Sequence, residues 1–122
     1  MRDATQRQAA ESRGRSAEDR VASRLEAEGW TVLARRFRNK GGEIDLVVER
    51  DGLLAFVEVK ARAALSDAAL SVSPRQQARL LAGAEAWLAM HPGHGWAGMR
   101  FDVVLVDGQG RMRRIADAIR AG

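Results

Sequence analysis

Three residues of this sequence have types and a spacing that suit metal-assisted chemistry on phosphate esters: Asp45, Glu58 and Lys60. The two carboxylates interrupt apolar segments, where a charge is costly to desolvate without a partner. Mg²⁺ prefers such oxygen ligands, and it can polarise a phosphoryl oxygen and lower the pKa of a bound water. An ammonium group two residues from Glu58 can neutralise charge that develops on a phosphate. These residues are therefore the candidate catalytic group, with a divalent cation as the expected cofactor.

The segment that carries these residues predicts a β-hairpin. Two apolar runs, residues 44–48 and 53–59, flank Asp51-Gly52, the dipeptide that most favours a type I′ turn. The rest of the chain is expected to be organised around this hairpin.

Hairpin geometry predicts that the charged side chains meet. If the loop is symmetric about its turn, Asp45 lies opposite Glu58 and Glu43 lies opposite Lys60. Because side chains alternate along a strand, Asp45, Glu58 and Lys60 are expected on one face of the sheet. The alternative is an exposed ion-pair patch on a solvated sheet, worth about 0–1 kcal/mol.

The composition is that of a single globular domain with a basic surface. The chain has 122 residues and no cysteine, and its 20 basic and 16 acidic residues give a net charge of +4. Arginine suits bidentate contact with phosphate oxygens, so a polyanion is the favoured partner, although coding bias can also enrich arginine. The first residues lack the apolar stretch of a signal peptide or anchor, so no membrane association and a cytoplasmic location are expected.

The first helix is expected to begin at Ser16 and to stop at Gly29, after a mobile tail over residues 1–14. Glu18 falls on its apolar side and is predicted to point over the sheet toward the hairpin carboxylates. The alternative is that Glu18 and Asp19 only complement the positive end of the helix dipole.

Further elements complete an α/β prediction. Residues 30–37 and 99–106 read as strands, Ser73 caps a second helix that has Pro74 at its first position, and residues 111–115 suggest an edge strand. The connection over residues 61–72 suggests a lid or a mobile loop. The order predicts one α/β domain in which a central mixed sheet is flanked by helices.

The D…ExK pattern of Asp45, Glu58 and Lys60 resembles the PD-(D/E)xK superfamily of metal-dependent nucleases. More closely, GGEIDLVVERDGLLAFVEVKAR, with GRSAEDRVASRLEAEGW upstream and SPRQQARLLAGAEAWL and RFDVVLV downstream, resembles the YraN-type family of small bacterial proteins. That family is regarded as endonuclease-like and as related to the archaeal Holliday-junction resolvases. The resemblance spans residues 14–106 and implies a restriction-endonuclease-like fold.

The resemblance also implies roles for individual residues. Asp45, Glu58 and Glu18 take the positions that bind Mg²⁺, for which Mn²⁺ can substitute, and Lys60 takes that of the residue that orients or activates water. The implied activity is hydrolysis of DNA, with branched DNA and a homodimer as further expectations. A non-catalytic nucleic-acid-binding protein with the same fold is the alternative, and a protein-docking module is a third. The basic residues expected to contact nucleic acid are Arg36, Arg38, Lys40, Arg62 and Arg75.

The sequence departs from the family pattern at three places. Ile44 stands where the superfamily has a proline, and Arg75-Gln76-Gln77 stands where relatives have a lysine. The segment after Lys60 lacks the Phe-Gly of relatives. These departures leave open how the substrate is held.

Overall fold

The computed structural model describes residues 4–66 and 70–119, with side chains from residue 15 onward within these ranges. Its elements, in chain order, are α1 (Ala4–Ala27), β1 (Thr31–Asn39), β2 (Gly42–Arg50), β3 (Leu53–Ala61), α2 (Pro74–Met90), β4 (Gly98–Val106) and β5 (Met112–Ile115). The predicted order of helices and strands is confirmed. Neither helix in these ranges combines the length and the hydropathy that crossing a membrane requires.

The five strands form one mixed sheet in the order β1-β2-β3-β4-β5. β3 and β4 run parallel, and the other neighbouring strands are antiparallel. The predicted α/β domain with a central mixed sheet and flanking helices is therefore confirmed. The architecture is consistent with a restriction-endonuclease-like fold.

The hairpin has the predicted register along the part nearest its turn. Cross-strand pairs run from Arg50–Leu53 to Leu46–Val57. Asp51 has φ +52° and Gly52 has φ +79°, as a type I′ turn requires at both central positions. The pattern of apolar runs around an Asp-Gly turn was enough to place these strands.

One helix covers each face of the sheet, and each interface is apolar. On one face, buried residues of α1 pack on buried residues of the sheet, among them Ala17, Val21, Leu25, Leu46, Ala55 and Val57. On the other face, α2 contributes Leu80, Ala84 and Trp87 to a cluster with Ile44, Val47, Leu54 and Phe56. The alternation of side chains along β3 sends Ala55 and Val57 to the α1 face and Leu54 and Phe56 to the α2 face.

The predicted start of the first helix is wrong. The helix begins at Ala4, so Ser16 lies inside it and is not its N-cap. A mobile tail was predicted for residues 1–14. Residues 1–3 lie outside the described residues, and residues 4–14 have a helical backbone. Polar residues with alanine can sustain a helix through propensity alone, which apolar periodicity does not detect.

The other predicted helix boundaries are confirmed. α1 ends in a Schellman motif in which Gly29, at φ +95°, and Trp30 donate backbone hydrogen bonds to the carbonyls of Glu26 and Leu25. Ser73 is the N-cap of α2, where its Oγ accepts a hydrogen bond from the Gln76 N–H at 3.1 Å.

A close backbone contact fixes α2 on the sheet. A Cβ at Gly42, the first residue of β2, would collide with the backbone of Gly83 in α2. Both residues are buried, and Ile44 packs beside Gly83. Glycine at both positions therefore lets α2 approach the first residues of β2 closely.

Candidate functional site

A pocket of about 160 Å³ lies between the hairpin and the N-terminal half of α2. It contains three carboxylates from the strands and polar side chains from the helix, and its lining residues are Glu43, Asp45, Glu58, Gln76, Arg79 and Leu80. The structure therefore brings Asp45 and Glu58 together.

Asp45 and Glu58 meet in a different way from the predicted one. The cross-strand register ends at Leu46–Val57, so Asp45 and Glu58 do not form a registered pair. Instead, the backbone N–H of Val59 donates a hydrogen bond to Oδ2 of Asp45 at 2.7 Å. A carboxylate thus occupies the place of a backbone acceptor at the point where the ladder ends.

The pKa values of both carboxylates are raised, mainly by burial. Burial and the charge of Glu58 raise the pKa of Asp45 to about 7, against the opposing effect of the Val59 hydrogen bond. Burial also raises the pKa of Glu58, which the charge of Lys60 opposes. Burial therefore makes the ionised form of each carboxylate less favourable than it is in water.

Lys60 is buried, with an exposed fraction of 6 %, on the same strand as Glu58. Its Nζ donates a hydrogen bond to the backbone carbonyl of Ser71, and it does not pair with Glu43 as predicted. Burial and the charge of Arg62 lower the pKa of Lys60. The predicted lid over residues 61–72 falls partly on residues 67–69, outside the described residues. Its described part includes the Ser71 carbonyl, which holds the lysine.

Glu18 stands beside the pocket and is paired with an arginine. Oε2 of Glu18 accepts a hydrogen bond from Nε of Arg36 at 2.6 Å. The charge of Glu18 nevertheless contributes to the raised pKa values of Asp45 and Glu58. Glu18 therefore lies within electrostatic range of the two carboxylates, its side chain is held by Arg36, and its role at the site stays a prediction.

Arg36 has an unusual backbone conformation for its residue type. Its φ is +53°, and the β1–β2 register passes from Arg35–Leu46 to Phe37–Ile44 around it. Left-handed backbone is unfavourable for a residue with a Cβ.

Sequence reasoning did not predict the other polar members of the pocket, Glu43, Gln76 and Arg79, as site residues. The guanidinium of Arg79 forms an ion pair with Glu43, and Nε of Arg38 lies 3.4 Å from the other oxygen of Glu43. The signal for Arg79 was its spacing, because residues three and four apart share a helix face and Gln76, Arg79 and Leu80 lie together. Recognising it required knowing that this face of α2 covers Asp45 and Glu58.

The residues predicted to contact nucleic acid occupy separate parts of the surface. Arg36 and Arg38 pair with carboxylates, while Lys40 is exposed after β1 and Arg75 is exposed at the start of α2. Arg62 and Arg20 line a larger cavity of about 370 Å³ between α1 and the C-terminal ends of β3 and β4. Arg36, Arg38 and Lys40 thus lie in or directly after β1, and the contact of all five residues with nucleic acid stays a prediction.

The donor set of the pocket suits a hard divalent cation. Across residues 15–66 and 70–119, no three His, Cys, Asp or Glu side chains form a ready cluster for a metal. Mg²⁺, however, is often held by one or two carboxylates and completes its shell with water and substrate oxygens. Asp45 and Glu58, which line the same pocket and whose pKa values are raised mainly by burial, fit that mode. The assignment of Asp45, Glu58 and Glu18 as ligands stays a prediction.

Comparison with known proteins gives the family. Uncharacterised protein family UPF0102 matches residues 17–106. A UPF0102 protein of Granulibacter bethesdensis is 54 % identical over 107 residues, which cover 88 % of this chain and 68 % of that protein. A UPF0102 protein of Rhodopseudomonas palustris (strain CGA009) is 56 % identical over 76 % of this chain and 72 % of its own length. A UPF0102 protein of Bradyrhizobium sp. (strain ORS 278) is 50 % identical over 116 residues, which cover 95 % of this chain and 82 % of that protein. The resemblance to the YraN-type family is confirmed, while the wider resemblance to PD-(D/E)xK nucleases stays a prediction; this chain belongs to UPF0102.

Proposed function

We propose that this protein is an Mg²⁺-dependent endonuclease of the PD-(D/E)xK type that hydrolyses phosphodiester bonds in DNA. The observation that carries the proposal is the pair of carboxylates, Asp45 and Glu58, which line one small pocket beside a buried lysine on the same strand. Two neighbouring carboxylates and an ammonium group are the residue types that metal-assisted phosphate hydrolysis uses.

In this proposal Asp45 and Glu58 hold the metal, and Glu18, which comes from α1 and lies outside the pocket lining, is a third metal ligand. When bound, Mg²⁺ or Mn²⁺ polarises a phosphoryl oxygen and lowers the pKa of a water molecule. The hydrogen bond from the Val59 N–H fixes one oxygen of Asp45, so the other oxygen remains for the cation. Arg36 holds Glu18 at the rim of the site.

Lys60 and Arg79 act on the phosphate. The Ser71 carbonyl holds Nζ of Lys60, so its ammonium group is positioned before the substrate arrives. Arg79 lines the pocket and forms an ion pair with Glu43. Its planar guanidinium can leave this carboxylate and bind a phosphate oxygen of the substrate instead. Lys60 therefore orients the water and the reacting phosphate, and Arg79 anchors the substrate.

The substrate class follows from charge and resemblance. A net charge of +4, with arginine on both edge strands, favours a nucleic-acid backbone as the substrate. The proposed location of this activity is the cytoplasm. Branched DNA is the structure that the resemblance to junction resolvases suggests, and a homodimer would present two pockets to it.

Cleavage of a panel of end-labelled branched, flapped, single-stranded and duplex DNAs, with and without Mg²⁺ or Mn²⁺, tests this proposal. We expect metal-dependent cutting of at least one DNA and a loss of about 100-fold or more in Asp45→Asn and Lys60→Ala. Asp19→Asn is the matched control, because Asp19 lies on the same helix as Glu18 but outside the pocket. This variant should retain activity. Undiminished cutting by Asp45→Asn and Lys60→Ala would identify a contaminant and refute the proposal.

The second candidate function is nucleic-acid binding without catalysis. The ion pair between Glu18 and Arg36 favours it, because this pair occupies a carboxylate that a metal would need. Calorimetric titration with Mg²⁺ distinguishes the two functions. A binder would show no saturable heat with Mg²⁺, while its DNA affinity would still fall steeply with salt.

A further inference from the structure

Three arginines surround the indole ring of Trp30. The guanidinium carbons of Arg50, Arg100 and Arg114 lie 4.8, 5.4 and 5.6 Å from the ring centroid. We call these four residues the tryptophan–arginine cluster. Each arginine at this distance gains a cation–π interaction, but the three like charges also repel one another.

The cluster lies apart from the carboxylate pocket. Arg50 pairs with Leu53 beside the hairpin turn, and Arg100 pairs with Ala55, three residues before Glu58 on β3. Ala55 and Trp30 belong to the core beneath α1, while alternation places Glu58 on the α2 face. The two groups therefore lie on opposite faces of the sheet.

The positive charge of the cluster exceeds the negative charge around it. Asp102 pairs with Arg100 at 3.0 Å and with Arg114 at 3.6 Å, and Glu28 pairs with Arg114 at 3.3 Å. Arg50 has no carboxylate partner among the described residues, and its Nη1 donates to the backbone carbonyl of Glu28 at 3.0 Å. Two carboxylates thus face three guanidinium groups, and the exposed Arg50 carries the surplus charge.

Two buried donors of the cluster lack an acceptor. Nε1 of Trp30 and Nε of Arg100 have no hydrogen-bond acceptor in the described part of the chain. Nε of Arg100 forms an ion pair with Oδ1 of Asp102 at 3.0 Å but no hydrogen bond with it. Trp30 is 3 % exposed. A buried N–H without an acceptor is costly, and acceptor oxygens would relieve that cost.

We propose that the tryptophan–arginine cluster binds a phosphate group. A phosphate supplies negative charge and several acceptor oxygens, the two features that the cluster lacks, and arginine forks suit it geometrically. Arg50 and Arg114 provide the accessible contacts, and Trp30 lies beneath them. The site requires neither a metal nor catalysis, so it does not depend on the proposed nuclease activity. The phosphate belongs either to a nucleic-acid backbone or to a free phosphate ion.

The indole N–H signals of the protein provide a direct test. The chain has three tryptophans, Trp30, Trp87 and Trp96, so ¹H–¹⁵N spectra contain three indole signals that single substitutions can assign. The full chain is titrated with inorganic phosphate at constant ionic strength, without a divalent cation. We expect a saturable shift of the Trp30 signal, with little change for Trp87 and Trp96.

Matched variants separate a site from a general charge effect. Arg50→Gln should weaken binding at least tenfold, and Arg50→Lys, which keeps the charge, should weaken it less. Arg24→Gln removes an equal charge from the exposed side of α1 and should change binding less than twofold. Thermal unfolding of each variant confirms that it is folded.

A second titration, with a short single-stranded oligodeoxynucleotide, separates the two sources of phosphate. The same shift at a lower concentration than inorganic phosphate requires would assign the site to a nucleic-acid backbone, and a shift with inorganic phosphate alone would assign it to the free ion. Either result supports the proposal. No saturable shift of Trp30 with either ligand, or equal weakening by Arg50→Gln and Arg24→Gln, would overturn it.

Discussion

Oδ2 of Asp45 accepts the backbone hydrogen bond of Val59 at 2.7 Å, at the position where the ladder between β2 and β3 ends. The carboxylate is therefore part of the backbone hydrogen-bonding of the sheet as well as part of the pocket. This hydrogen bond explains why Asp45 stays half-buried beside Glu58 although their charges repel.

Replacing Asp45 by asparagine should stabilise the metal-free protein above neutral pH. Burial raises the pKa of Asp45 from 3.8 to about 7, so the folded state carries an unfavourable charge above pH 7. As the pH falls toward 4, the folded state takes up a proton that the unfolded state does not, and this cost disappears. We expect Asp45→Asn to gain on the order of 2 kcal/mol at pH 8 and nearly nothing at pH 4.

Urea unfolding of both proteins at several pH values measures this difference. Asp51→Asn is the matched control, because Asp51 is exposed in the turn and asparagine also suits that turn. A gain for Asp45→Asn that does not change with pH would contradict the electrostatic explanation.

Replacing Arg36 by glutamine should strengthen Mg²⁺ binding. Arg36 pairs with Glu18 at 2.6 Å and places a positive charge near Asp45, so it competes with a cation for both groups. We expect an affinity increase on the order of fivefold, which corresponds to about 1 kcal/mol. Isothermal titration calorimetry measures it, with Lys40→Gln as the control for loss of an exposed charge nearby. Equal effects of the two substitutions would show that only net charge matters.

Replacing Gly42 by alanine should destabilise the fold. The new methyl group would collide with the backbone of Gly83, so α2 must move away from β2. Overpacking of this kind costs about 1–3 kcal/mol. Thermal unfolding tests the expectation against Gly108→Ala, where a Cβ meets nothing within 4 Å. Equal stability of the two variants would show that the helix can shift freely.

Removing the N-cap of α2 should also destabilise the protein. The Oγ of Ser73 accepts from the Gln76 N–H at 3.1 Å, and Oε1 of Gln76 accepts from the Ser73 N–H at 3.0 Å. Ser73→Ala should therefore lower the free energy of unfolding by about 1 kcal/mol. Chemical denaturation measures the loss, and Ser23→Ala on the exposed side of α1 should cause none. A loss below about 0.3 kcal/mol for Ser73→Ala would indicate that the cap is not limiting.

Local sequence patterns were sufficient to predict the hairpin, the end of α1 and the cap of α2. In each case the deciding residues, such as Asp51-Gly52, Gly29 and Ser73, lie within a few positions of the structure that they determine. The contact between Asp45 and Val59 was not predictable in this way, because a side chain displaced a backbone partner that strand pairing would supply.

The surroundings of Lys60 and Glu43 were missed for another reason. The partner of Lys60 is a backbone carbonyl, at Ser71, in a segment without periodic pattern, and any residue type could have supplied it. Glu43 meets Arg79 only because α2 lies against the start of β2. Such contacts depend on packing between distant segments, which residue types alone do not specify.

The order of the strands places some of the arginines on the two edge strands of the sheet. β1 and β5 form the two open edges of the sheet, and each carries adjacent arginines, Arg35-Arg36 and Arg113-Arg114. An open edge can pair with the edge of another molecule and start aggregation, which charged side chains and irregular backbone oppose. The register shift between Val32 and Ala34 adds such an irregularity to β1. Part of the basic charge that suggests nucleic acid thus also protects the protein from self-association through its edges.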